Sequence, residues 1–82
     1  MAAIIDNATD LGRTVRATRR ELGMTQDDLA LASGTGRRFI VNLEAGKETV
    51  RLDAVLAVVE ALGMRMELHR GRGQRGGPRA GA

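Results

Sequence analysis

The sequence predicts an all-α domain of four helices, closed by one C-terminal β-strand that pairs across a homodimer. Three observations predict it. Apolar residues recur at helical spacing in four runs, each bounded by a cap residue or a glycine. One later stretch, "MRMELHR", alternates apolar and polar side chains with the two-residue period of a strand. That strand follows a helix that is apolar on nearly every side, and neither can satisfy itself within so short a chain. The organisation that follows is an N-terminal arm at residues 1–6, a domain at 7–69 and an Arg/Gly-rich tail at 70–82.

Asn7 caps the first helix, "ATDLGRTVRATRREL", and Gly23 stops it. Ala8, Leu11, Val15, Thr18 and Leu22 share one stripe, with Arg13, Arg16 and Arg20 opposite and Arg19 on the stripe's edge. Arg16 and Arg20 therefore read as solvated surface. The second helix opens at Thr25, with Asp28 three residues on as a capping-box variant, and ends at Gly34. Leu29 and Ala32 are expected to point inward. A third short helix begins near Gly36, and two short helices across a tight Gly-containing turn make a helix-turn-helix pattern.

The wheel of the third helix divides cleanly. Phe39, Ile40, Leu43 and Glu44 form an apolar back holding one acid, while Arg37, Arg38, Val41, Asn42 and Ala45 form the front. Two cations in the first turn are opposed by the positive end of the helix dipole, so a polyanion in front of them is the natural compensation. A solvated surface is the competing reading of that face. The fourth helix, "LDAVLAVVEALG", carries Leu52, Val55, Leu56, Val58, Val59 and Leu62 around most of its wheel, with only Asp53 and Glu60 polar. Met64, Met66 and Leu68 then fall on one side of the strand at about 64–69, with Arg65, Glu67 and His69 on the other. A second copy is the simplest partner for this strand; Ile4 and Ile5 are the alternative. From Gly71 the chain lacks any apolar residue larger than Ala, and disorder is expected there.

Composition narrows the function classes. With 82 residues, one aromatic and 43% hydrophobic residues, the chain makes one small aliphatic core, for which dimerisation is a natural support. No cysteine and a single histidine exclude a disulfide, a thiolate site and a His-built metal centre, so no cofactor is expected. Four of the thirteen cations (Arg70, Arg72, Arg75, Arg79) lie in the tail, leaving nine against ten acids in the body. Any attraction to nucleic acid must therefore come from charge placement. The acid pairs Asp27–Asp28 and Glu44–Glu48 have no nucleophile, phosphate loop or metal cluster with them, so no enzyme is expected. "MAAIIDNATD" has no basic n-region and no run long enough to span a bilayer, which makes a cytoplasmic protein the expectation.

The run "MTQDDLALASGTGRRFIVNLEAGKETVRLDAVLAVVEALGM" resembles the Xre family, the helix-turn-helix of phage repressors. It does so at Thr25-Gln26, Leu29-Ala30, Gly34, Ile40, Leu43-Glu44 and Leu62-Gly63. With the leading helix and the "MRMEL" strand, the chain is similar to HipB-type antitoxins. The resemblance implies a repressor that binds a pseudo-palindromic double-stranded DNA operator as a homodimer and restrains a HipA-like serine/threonine kinase toxin. A stand-alone Xre-type regulator of phage or host genes, without a toxin, is the alternative. In such proteins the third helix enters the major groove, which assigns Arg37, Arg38 and Asn42 to bases. By the same resemblance Gln26 contacts the DNA backbone, and sometimes a base, and Lys47 after the helix is expected to meet a phosphate. Relatives often carry Gln at the first two of those reading positions, so arginines imply an operator richer in guanine. The resemblance also pairs Arg19 with Glu44 as a structural ion pair, which both wheels allow. In such antitoxins the strand pairs across the dimer, which agrees with dimer contact at Val58, Leu62, Met64, Met66 and Leu68 as expected from the apolar fourth helix and the unpaired strand. Gly36 stands where a capping Ser or Thr is common, so Thr35 is expected to cap the third helix.

Overall fold

The computed structural model describes residues 2–71. Four helices run in order: α1 (Ala8–Glu21), α2 (Gln26–Ser33), α3 (Arg37–Glu44) and α4 (Leu52–Ala61). The local signals explain their bounds. Asn7 Oδ1 accepts from the Asp10 amide at 2.8 Å to start α1. Thr25 and Asp28 close a reciprocal capping box on α2, at 3.0 and 2.9 Å. Gly34 ends α2 in the left-handed region at φ 71°, which lets the chain reverse within a few residues.

α2 packs against both α3 and α4, and α1 closes over α3. Each helix sends aliphatic side chains to one core, whose fully buried members are Val15, Leu29, Ile40, Leu43 and Val58. Val55, Val59, Leu62 and Ala30 complete it, and Phe39 packs on its edge. Burial at this level contributes about 1.5–3 kcal/mol for each large aliphatic side chain. The α1–α3 crossing is unusually close at Gly12. A Cβ there would lie 2.5 Å from the Leu43 carbonyl oxygen and 2.8 Å from that of Glu44.

The packing corrects four expectations. Ala32 is exposed, and Ala30 takes the inward place beside Leu29. Leu22 lies past the end of α1 and is 54% exposed, because the helix turns away at Gly23 before the stripe is completed. Ile4 and Ile5, the alternative partner for the strand, lie exposed in an irregular arm and supply no ladder to residues 64–70, which are irregular in the single chain. Val58 and Leu62, expected at a dimer contact, are instead interior residues of the protomer (0% and 4% exposed). α2 covers that side of α4, leaving Leu52 and Leu56 as the apolar positions in solvent, followed by Met66 and Leu68. Met64 folds back against the core, with the Thr18 hydroxyl 3.7 Å from its sulfur. The expected disorder of the tail lies, beyond Gly71, outside the described residues. No described helix is long and apolar enough to cross a membrane.

Candidate nucleic-acid interface

α3 is held from behind by a buried ionic node. The Arg19 guanidinium meets the Glu44 carboxylate through two bonds, Nε to Oε2 at 2.6 Å and Nη2 to Oε1 at 3.0 Å. Its Nη1 donates to the Met24 carbonyl at 2.8 Å, fixing the loop between α1 and α2. Gln26 Nε2 adds a third donor to Glu44, at 3.2 Å. The two ionic side chains are 9% and 4% exposed, so this is an interior pair and not a surface one. Burial works against the Glu44 carboxylate. The hydrogen bonds from Arg19 and Gln26 and the charges of Arg19 and Arg16 outweigh it and hold its pKa below the ordinary value. The bond to Glu44 raises that of Arg19, with burial opposing.

In front of this node the cationic face stands in solvent. Arg37 and Arg38 are exposed in the first turn of α3, Asn42 is half-buried one turn on, and Ala45 is exposed at the helix end. Lys47 follows, exposed, its amide donating to the Asn42 carbonyl at 3.0 Å, so the loop cation is tied to the helix that carries Asn42. Gly36 caps α3 with no side-chain hydrogen bond. The expected cap from Thr35 does not form, because its hydroxyl is 2.9 Å from that of Ser33. α3 therefore begins with bare amides and two cations.

Gln26 occupies the first position of α2, half-buried, with its amide nitrogen committed to Glu44. It belongs to the scaffold of α3 as well as to the front. Two residues set aside as plain surface join it. Arg16 and Arg20 line the same depression as Thr25, Gln26, Asp27 and Arg37, a concavity of about 520 Å³. Their spacing of four put them on one face of α1. Only the crossing of α1 with α3 turns that face toward Arg37. Asp27, also on this front, sets its Oδ1 3.1 Å from Arg37 Nε. Among the described residues no group of three or more His, Cys, Asp or Glu converges as a metal site.

Two short helices at a tight Gly turn, the second with an apolar back and a polar front, define a helix-turn-helix protein. Residues 15–68 match the Helix-turn-helix family HTH_3, and the chain belongs to it, among Xre-type transcriptional regulators. It is 44% identical over 68 residues to an uncharacterized HTH-type transcriptional regulator, y4mF, of Sinorhizobium fredii, covering 83% of this chain and 90% of that protein. Among solved structures it is similar to the HipB-O4 20mer complex, with TM-score 0.75 and 26% identity over 80% of this chain and 93% of that one. The HipA-HipB-O2-O3 complex matches at the same values. The restriction-modification controller protein C.AhdI from Aeromonas hydrophila matches with TM-score 0.65 and 29% identity, over 71% and 84% of the two chains.

Proposed function

We propose that this regulator is a homodimeric repressor that reads a pseudo-palindromic DNA operator with α3 and serves as the antitoxin of a HipA-like kinase toxin. The observation that carries the DNA reading is the first turn of α3. It holds two exposed guanidiniums on a helix whose back is locked by a buried Arg19–Glu44 pair. Arg37, Arg38 and Asn42 read base edges, arginine matching the O6 and N7 of guanine. Gln26, with Arg16 and Arg20 in the same depression, and Lys47 meet phosphates and set the register. Two copies place their α3 helices about one turn of duplex apart, or a multiple of it. Occupancy of the operator blocks transcription.

Arg37→Ala is expected to relax specificity at one base pair per half-site, by about 1–3 kcal/mol of discrimination. Arg38→Ala does the same at a neighbouring pair. Lys47→Ala weakens all sequences alike and lowers the salt slope by about one. Binding profiles of Arg37→Ala that match the parent at every position would overturn the assignment.

Support for the antitoxin role is the likeness to HipB, found in complexes with DNA and with HipA. The likeness to C.AhdI and to y4mF supports the second reading, a stand-alone regulator. Pull-down from native lysate with and without nuclease separates them. A kinase-like partner that survives nuclease supports the antitoxin. DNA-dependent partners alone support the stand-alone regulator.

A further inference from the structure

Asp27 is an exposed acid in a depression that also holds Arg16, Arg20 and Arg37, and capping does not account for it. Asp28 supplies the carboxylate of the α2 capping box, and Asp27 takes no part in it. The positive end of α2 favours an acid, but a carboxylate facing a duplex is repelled by its phosphates. Its one ion pair among the described residues is with Arg37, Oδ1 to Nε at 3.1 Å. Arg16 and Arg20 line the same depression without coming within ion-pair distance of it.

With the two side chains 64% and 74% exposed, this pair adds little to stability. Its geometry is more informative. A guanidinium is a rigid planar fork of five donors. The Asp27 carboxylate lies beside Nε as an ion pair with no hydrogen bond directed at it, so both terminal Nη groups stay available, and two such donors side by side match guanine O6 and N7. An arginine whose head is drawn to one side by a neighbouring carboxylate also loses less rotamer freedom on docking.

We propose that Asp27 is a positioning residue that orients Arg37 for end-on reading of guanine. This rests on the assignment of α3 to the major groove. Asp27 then acts on affinity and on discrimination with opposite signs. Removing it relieves phosphate repulsion and raises affinity for random duplex, while the freed arginine discriminates less.

The test is selection from a random duplex pool with the full chain, followed by titration on the enriched site and its single-base variants. Wild type, Asp27→Asn, Asp27→Ala, Arg37→Ala and the Asp27→Ala/Arg37→Ala double variant are compared. At low salt Asp27→Ala is expected to bind random duplex about twofold more tightly, since one like charge is removed across water. Its preference for guanine at the Arg37 position falls by about threefold or more, part of the roughly 5- to 150-fold that a bidentate arginine supplies. Asp27→Asn falls between it and wild type. In the Arg37→Ala background Asp27→Ala changes nothing further at that base pair.

If Asp27→Ala keeps the guanine preference that Arg37→Ala loses, Asp27 does not position Arg37, and the docking of α3 stands. If Asp27→Ala alters the preference even without Arg37, Asp27 reads a base itself and the positioning role is overturned. If wild type enriches no sequence, the docking fails and takes this inference with it.

Discussion

Arg19 and Glu44 carry the largest single-residue consequence in this domain. Taking one member away leaves the other charge buried, at a cost of about 3–5 kcal/mol. Glu44→Ala is therefore expected to bring a chain of this size close to unfolding at room temperature, read by urea denaturation followed by circular dichroism. The pair also sets an acid limit. The folded pKa of Glu44 lies below its unfolded value, so its contribution is complete above the unfolded carboxylate pKa. It is lost as pH falls through the folded value. Glu44→Gln should accordingly be much less stable than wild type at neutral pH, with the gap narrowing in acid; a gap constant with pH would contradict the assignment. Gly12 is the second decisive residue, for the opposite reason. Alanine favours a helix by up to about 1 kcal/mol, yet here its Cβ would meet two carbonyl oxygens of α3. Gly12→Ala should destabilise by about 1–3 kcal/mol through overpacking. Because the backbone it displaces belongs to α3, operator affinity should fall along with the melting temperature.

Each element begins and ends on signals of different strength. α2 has a complete capping box at one end and a left-handed glycine at the other. Thr25→Ala is expected to cost about 1 kcal/mol, and Gly34→Ala about 1–2 kcal/mol, the penalty of a Cβ in that backbone region. Hydrogen exchange of α2 amides should report both, α2 opening first. α3 has neither device at its start and two cations besides. Its orientation is imposed by Ile40 and Leu43 in the core and by Glu44 on Arg19. This contrast explains which parts were legible in the residues. Caps and glycines act within a few residues, so α1 and α2 could be bounded from letters alone. Ala30 against Ala32 could not, since an eight-residue helix of mixed small residues has too weak a periodicity to fix its inward face. The misplaced Thr35 cap has a similar cause, a competing hydroxyl at Ser33 that becomes near only once the turn is formed.

For the whole molecule, the exposed apolar run after α4 is the feature to explain. Leu68 is 99% exposed, Met66 44%, and Leu52 and Leu56 on α4 are also in solvent. Pairing of residues 64–69 with their copy would cover this run, the arrangement expected from its alternation. If the proposed dimer forms through this run, Met66→Asp with Leu68→Asp should give a monomer in sedimentation velocity where wild type is a dimer, and sharply weaken binding to a full palindrome. Binding to a single half-site should change little. A double variant that stays dimeric would move the interface elsewhere, to Leu52 and Leu56.

From its letters alone this chain determines four helices, a helix-turn-helix and a two-sided third helix, because each depends on spacing within one segment; the Arg19–Glu44 pair comes from the family resemblance, with both wheels allowing it. Only the tertiary structure decides which apolar positions are interior and which outward-facing arginines share a surface. Val58 and Leu62 go inside because α2 covers that side of α4. Arg16, Arg20 and Asp27 share a depression with Arg37 because two helices cross at Gly12 and a third begins beside them. Helical periodicity fixes a residue's angle about its own axis. The angle between axes, and hence what that residue faces, is fixed by how closely the backbones can pack.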